Sequence, residues 1–250
     1  DDAFGCAHRA HASVEALARL VSERGAGLLL AREVEALGRL LGRVDHPFVA
    51  LLGGAKVSDK INVLNNLLGR VDIFLIGGAM ANTFLAAKGL SMGKSLVESD
   101  KLNVAIDFLR TAQDKNATVV LPTDLVVAES PDAPEGKVVP ADRVGAGLSA
   151  FDIGPATLAV FKEKVAGAGT VFWNGPLGFF EKKPFAAGTI GLAKAVATCP
   201  GFTVAGGGDS VAAITEAGLE KMFGHISTGG GASLEMLEGR KLPGVAVLEE

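Results

Sequence analysis

Five short apolar runs, each stopped by glycine or proline, constrain this chain more than any other feature. Residues 49–52 run into Gly53 and Gly54, residues 73–76 into Gly77 and Gly78, and residues 118–121 into Pro122. Residues 171–173 end in NGPLG, and residues 202–205 end in GGGDS. Runs this short and this apolar suit strands buried on both faces of a parallel sheet. Stretches of helical spacing separate them, so the strands should lie parallel and be joined by right-handed crossovers. The expected fold is α/β, a doubly wound, mostly parallel sheet in three layers. Its glycine turns would gather at the carboxyl ends of the strands, where such sheets bind ligands.

The turn in LLGGAKVSDK, residues 51–60, is the most informative of the five. Two glycines let backbone N–H groups approach a ligand with no Cβ in the way. The spacing predicts a helix over residues 58–68 with Ile61, Leu64 and Leu68 on one face, which puts Lys56 and Lys60 at its first turn. Cations there oppose the helix dipole by about 0.3–1 kcal/mol. Two of them point to an anion between, and a phosphate at the mouth of the turn is the physical reading. The alternative is a glycine turn with two solvated lysines.

GGGDS, residues 206–210, follows a buried run and opens a helix through Val211, Ile214 and Leu219, so Ser210 can cap that helix. Asp209 is either an ordinary acid at a helix start or a carboxylate that meets a phosphate-bound Mg²⁺. HISTGGGASLE, residues 225–235, supplies a second triple glycine. The two GGG turns, the GGAK turn and WNGPLGFFE together amount to a phosphate pocket. His8, Arg9 and His11 either bind a small anion or form a solvated turn.

Elsewhere the spacing predicts a short helix over residues 13–21 and a longer one over residues 28–41, either core or connecting. Residues 122–156, richer in Pro, Asp and Gly, read as excursions over the surface. GLSMGKS, residues 89–95, fails as a Walker A motif, having three residues where four are needed. Gly145, Gly147 and Ala150 imitate a dinucleotide fingerprint, but no strong strand precedes them.

Composition narrows the partners. A 250-residue chain that is 48% hydrophobic can bury one large core, with or without an appendage. A net charge of −4, without clustered Lys and Arg among aromatics, argues against nucleic acid. Every apolar run falls short of the roughly 18 residues that span a bilayer, so no membrane partner is expected. Cys6 and Cys199 form no CxxC, which favours a reducing, cytoplasmic setting. Asp1 opens the sequence, and DDAFG resembles neither a signal peptide nor a tag, so the chain is expected to begin inside a longer protein.

The runs DAFG.AHRAH from Asp2, GGAKVSDK from Gly53, GGAMANTF from Gly77, FWNGPLG.FE from Phe172, GGGDS from Gly206 and HISTGGGASLE.LEG..LPGV from His225 closely resemble the phosphoglycerate kinase family. They occur in the family's order and cover essentially the whole chain. The resemblance implies one Rossmann-like lobe of a two-lobed kinase that transfers phosphoryl between 1,3-bisphosphoglycerate and MgADP, giving 3-phosphoglycerate and MgATP. It divides the chain into a remnant of the phosphoglycerate lobe (1–24), an interlobe helix (25–43), the nucleotide lobe (44–235) and a segment returning to the first lobe (236–250). Leu17, Leu20 and the apolar face of residues 28–41 would then be left exposed, and the full-length protein would be a monomer.

Carried over by position, Lys56 contacts the transferring phosphoryl group, helped by amides of Gly208, Gly230 and Gly231. Lys60, Gly207, Gly208 and Ser210 meet the nucleotide phosphates, and Asp209 serves the metal-nucleotide. Glu181 holds the ribose hydroxyls, while Gly54, Ala55, Ala150, Asn174, Pro176, Gly178 and Phe179 line the nucleotide site. Arg9, with His8, belongs to the patch that grips phosphoglycerate. The sequence departs from the family at Asp1 (often Asn), Cys6 (usually Thr), Ala79 (a third glycine), Ala150 (glycine in some members) and Ser210 (Thr). A free-standing nucleotide-binding module is the rival reading, but it has no use for HRAH. A Rossmann oxidoreductase would need an acidic residue about 20 positions after a GxGxxG turn, and the sequence has no such pair.

Overall fold

The computed structural model describes residues 1–249. Six parallel strands form the central sheet in the order β3-β2-β1-β7-β8-β9. They are β1 Phe48–Leu52, β2 Ile73–Ile76, β3 Thr118–Val120, β7 Thr170–Asn174, β8 Phe202–Gly206 and β9 His225–Ile226. Leu52 pairs with both Ile76 and Asn174, and Asn174 with Gly206, so the turns after β2, β1, β7 and β8 lie side by side.

Successive side chains of a strand point to opposite faces, and the sheet is apolar on both. Phe48, Ala50, Leu52, Phe74, Phe172 and Val204 face one core. Helices α2 (Leu28–Leu41), α3 (Ile61–Leu67), α4 (Gly78–Ala87), α5 (Leu102–Asp114) and α9 (Gly230–Leu237) close it. Val49, Leu51, Leu75, Val171, Trp173 and Ala205 face the other, closed by α6 (Pro155–Ala166), α7 (Ala187–Ala197) and α8 (Gly208–Glu216). This is the three-layer, doubly wound arrangement expected from the apolar runs.

Residues 122–156 are not surface excursions. They build a second, antiparallel sheet in the order β5-β4-β6, from β4 Asp124–Ala128, β5 Lys137–Pro140 and β6 Ser149–Ile153. Its register slips between Val126 and Val127. The short strands and the glycine-rich links between them hid the alternation that would have marked it.

The helix expected from residue 58 starts at Ile61 instead, because residues 58–60 form a turn. Lys60 is therefore the residue before the helix, and Lys56 lies in the loop ahead of it. The expected helix over residues 13–21 is wound with π-type spacing over Ala12–Ala16 and continues as α1, Leu17–Leu20.

The amino-terminal segment docks against both α2 and α10 (Pro243–Glu249). Asp2 accepts the Leu30 N–H at 2.8 Å, and Gly244 donates its N–H to the Ala7 carbonyl at 2.9 Å. A Cβ at Gly244 would stand 2.6 Å from Val14 Cγ1, so α10 and this segment meet only because that position is glycine. Glu250, the last residue of the expected carboxyl-terminal segment, lies outside the described residues.

Leu17 and Leu20 are 55% and 83% exposed, as expected. The face of α2 is not. Leu30, Leu37 and Leu40 are buried in the core that α9 shares. No helix among the described residues is long and apolar enough to cross a membrane.

Candidate functional site

A cleft of about 510 Å³ opens where the carboxyl ends of β1, β2 and β7 face the antiparallel sheet. Gly54, Ala55, Gly78 and Ala79 line one part of it, and Lys94, Leu96 and residues 149–153 another. Pro176, Leu177, Gly178, Phe179, Glu181 and Asp209 complete it. The turns fit because they are glycines. A Cβ at Gly53 would lie 2.1 Å from the Pro176 carbonyl oxygen, and one at Gly78, whose φ is +66°, 2.5 Å from the Gly54 nitrogen. Gly54 donates its N–H to Pro176 at 2.8 Å and Gly78 to Leu177 at 3.0 Å, which locks the β1, β2 and β7 turns together.

The structure brings Gly54, Ala55, Ala150, Pro176, Gly178, Phe179, Glu181 and Asp209 to one cleft. Lys60, Asn174 and Ser210 lie beneath it, all buried. The Lys60 ammonium donates to the Asn174 side-chain oxygen and, at 3.3 Å, to the Asn174 carbonyl. Asn174 in turn donates from Nδ2 to the Gly206 carbonyl at 2.9 Å. Burial pushes the Lys60 pKa down to about 8, against the pull of Asp59 and Asp209 in the other direction. Ser210 does not cap α8. It sits inside the helix, behind Gly207 with φ +92°, and its hydroxyl oxygen accepts the Gly175 N–H at 2.6 Å.

The two lysines stand in different surroundings. Lys56 is exposed and Lys60 is buried against Asn174. The amides that open the turn before α3 already have an anion, a carboxylate. Glu98 accepts the N–H groups of Val57 (2.5 Å) and Ser58 (3.2 Å) and the Ser58 hydroxyl (2.6 Å).

Free amides stand instead at two other helix starts. The N–H groups of Gly208, Asp209 and Ser210 have no acceptor among the described residues, nor do those of Gly230 and Gly231. A Cβ at Gly208 would meet nothing within 4 Å, and Asp209 beside it lines the cleft. Gly231 lies against the His8 ring, 3.4 Å from Nε2 to an ideal Cβ, and Arg9 is exposed next to it in sequence. Lys56, Gly207, Gly208, Gly230, Gly231, His8 and Arg9 are not part of the cleft lining.

Asn82, Lys94, Leu96, Phe151 and Asp152 are among the cleft residues that the sequence did not mark as site residues. Lys94 falls in the stretch that fails as a Walker A motif, yet its loop reaches the cleft. Asp152 is buried, and desolvation raises its pKa to about 7 although it accepts N–H groups from Gly188 (2.7 Å) and Ile153 (2.9 Å). A Cβ at Gly178 or Gly188 would fall 2.3 Å from its Oδ1. Away from the cleft, buried Glu33 on α2 accepts from Thr228 and pairs with His225 at 2.8 Å. Burial pushes its carboxyl up, but the His225 and Thr228 hydrogen bonds outweigh that and hold it below the usual range. No group of three or more His, Cys, Asp or Glu side chains among the described residues can hold a metal alone.

The family model described as phosphoglycerate kinase matches residues 1–240. A protein named phosphoglycerate kinase from Anaeromyxobacter sp. (strain Fw109-5) is 55% identical over the whole of this chain. One of the same name from Moorella thermoacetica is 53% identical, again over the whole chain. The chain spans 63% and 64% of the length of these two curated relatives. Among solved structures, phosphoglycerate kinase from Coxiella burnetii superposes with a TM-score of 0.95 at 46% identity, over 99% of this chain and 64% of that one. The enzyme from Pyrococcus horikoshii OT3 superposes with a TM-score of 0.84 at 35% identity, over 99% of this chain and 62% of that one. Sequence and structure agree over nearly every residue, and the chain belongs to the phosphoglycerate kinase family.

Proposed function

We propose that this chain is the nucleotide-holding part of a phosphoglycerate kinase, which moves a phosphoryl group between 1,3-bisphosphoglycerate and MgADP to give 3-phosphoglycerate and MgATP. One observation carries the reading: three unused amides open α8 beside Asp209, at a cleft that is otherwise mostly apolar. Helix-start amides favour phosphate, and the apolar walls suit a planar base.

In this reading Leu96, Ala150, Phe151, Pro176, Gly178 and Phe179 enclose the base, and Glu181 accepts from the ribose hydroxyls. The amides of residues 208–210 hold the phosphates, with Gly207 giving the backbone its turn. Lys60, Asn174 and Ser210 act from below, fixing the turns that carry those amides. Asp209 suits Mg²⁺, which binds through one or two carboxylates with substrate phosphates and water. When bound, that ion neutralises charge on the phosphates.

Phosphoryl transfer needs positioning and charge stabilisation more than a covalent partner. Lys56, exposed and without a partner among the described residues, supplies its positive charge to the moving group, and the Gly230 and Gly231 amides donate to the same group. Arg9 and His8 face the phosphoglycerate. Residues 1–24 and 236–250 would belong with a first lobe, residues 25–43 would join the lobes, and residues 44–235 would form the nucleotide lobe. The full-length protein would be a cytoplasmic monomer. One arginine cannot orient a substrate with two phosphates, so the 250-residue chain alone would not turn over 1,3-bisphosphoglycerate at a useful rate.

Calorimetric titration with MgADP tests the nucleotide site, and saturable binding is expected. A chain shown to be folded by circular dichroism but giving no heat at millimolar nucleotide contradicts the reading. Binding that persists when the chain is joined to its complete first lobe, with no transfer in a coupled assay, would favour a nucleotide-binding module without catalysis.

A further inference from the structure

The stretch from Lys94 to Glu98 runs along the cleft and is tied by hydrogen bonds at Lys94, Ser95, Leu96 and Glu98. Lys94 donates its N–H to the Leu148 carbonyl at 2.8 Å, and the Ser95 hydroxyl accepts the Ala150 N–H at 2.8 Å. The Leu96 carbonyl accepts from Asn82 Nδ2 at 3.3 Å, and Glu98 donates its N–H to the Thr83 hydroxyl at 3.0 Å. Lys94, Leu96, Asn82 and Ala150 all line the cleft.

At the end of this strap the Glu98 side chain turns to the other side and accepts three hydrogen bonds, from the Val57 and Ser58 amides and the Ser58 hydroxyl. Those two residues directly follow Lys56, which is exposed and has no side-chain partner among the described residues. An exposed lysine on a four-carbon stem is placed by its backbone, because nothing holds its ammonium. The Val57 carbonyl accepts from Lys60 and Ile61, so the same residue starts the turn into α3. A carboxylate that accepts from backbone amides and a hydroxyl makes charge-assisted hydrogen bonds, the stronger class.

We infer that Glu98 is a positioning residue for Lys56: its carboxylate fixes the backbone on which that lysine stands and joins it to the wall of the cleft. This rests on the proposed function, in which Lys56 meets the transferring phosphoryl group. Two consequences separate Glu98 from a residue that only stabilises the fold. The transferring group is present in ATP and absent from ADP, so the loss of Glu98 should weaken MgATP and spare MgADP. The strap keeps its ties to Leu148, Ala150, Asn82 and Thr83 without the carboxylate, so the rest of the cleft should stay in place.

The test is a double-mutant cycle on nucleotide affinity, measured by calorimetry on the 250-residue chain. Glu98→Ala should lower MgATP affinity by about tenfold, the effect of losing a set of charge-assisted hydrogen bonds. MgADP affinity should change by less than about twofold, within the error of additivity. Lys56→Ala should show the same split, and the double variant should bind MgATP no more weakly than Lys56→Ala alone. Glu98→Gln and Ser58→Ala, each keeping part of the network, should fall between Glu98→Ala and the unaltered chain. Equal weakening of ATP and ADP by Glu98→Gln, or additive losses in the double variant, overturns the inference and leaves the proposed function standing. An unaltered chain that binds neither nucleotide overturns both.

Discussion

Lys56 and Lys60 look alike in the sequence, four positions apart after a glycine turn, and the fold makes them opposites. Lys56 is exposed, whereas Lys60 is buried against Asn174. Lys56→Ala should leave stability within about 0.5 kcal/mol, as surface changes usually do. Lys60→Ala leaves buried Asn174 Oδ1 without its donor and should cost about 1–3 kcal/mol in urea denaturation, besides weakening nucleotide. Equal stability of the two variants would contradict this placement. Asp152 makes a pH prediction. Its pKa is raised from 3.8 to about 7, so between those values the folded state holds a proton that the unfolded state has released. Stability from this group is complete below pH 3.8 and is lost as pH rises through 7, on the order of 4 kcal/mol in all. Asp152→Asn should remove that fall between about pH 4 and 7, and identical pH profiles for the two proteins would contradict the assignment. Neither contrast was legible in the sequence, because both depend on what the fold packs around the residue, Asn174 around Lys60 and the burial that desolvates Asp152.

The parallel strands were legible because each is an apolar run stopped by a glycine or proline, a pattern that needs no distant partner. The antiparallel sheet was not. Val138 of β5 is 49% exposed, and β4 is buried along its whole length, so neither shows a plain alternation of buried and exposed residues. The start of α3 was read three residues early, because Glu98 stabilises a turn there from 40 positions away. Asp124 is the joint between the second sheet and α6. Its carboxylate accepts the N–H groups of Ala156 (3.0 Å) and Thr157 (2.7 Å) and the Thr157 hydroxyl (2.6 Å), which caps the helix from a strand. Asp124→Ala should therefore cost about 1–3 kcal/mol. Thermal unfolding measures it, and an unchanged midpoint would show that α6 is held by its apolar face alone.

Across the molecule, the candidate site forms where two sheets meet, and half of that meeting was invisible beforehand. Gly54, Pro176 and Asp209 stood out as turn residues, while Phe151 and Asp152 come from a strand that the sequence did not announce. The Ala7–Gly244 contact joins the two ends of the chain, and Leu17 and Leu20 remain exposed beside it. Those leucines are the surface a first lobe would be expected to cover. In the proposed function the cleft and the start of α8 form one nucleotide site that this chain holds by itself. Amide chemical shifts followed through a MgADP titration test it most directly. The largest shifts are expected at Gly208, Asp209 and Ser210, with smaller ones at Gly54, Ala150 and Phe179 and little change at His8 and Arg9. Shifts confined to other surfaces, or none in a folded chain at millimolar nucleotide, would contradict it.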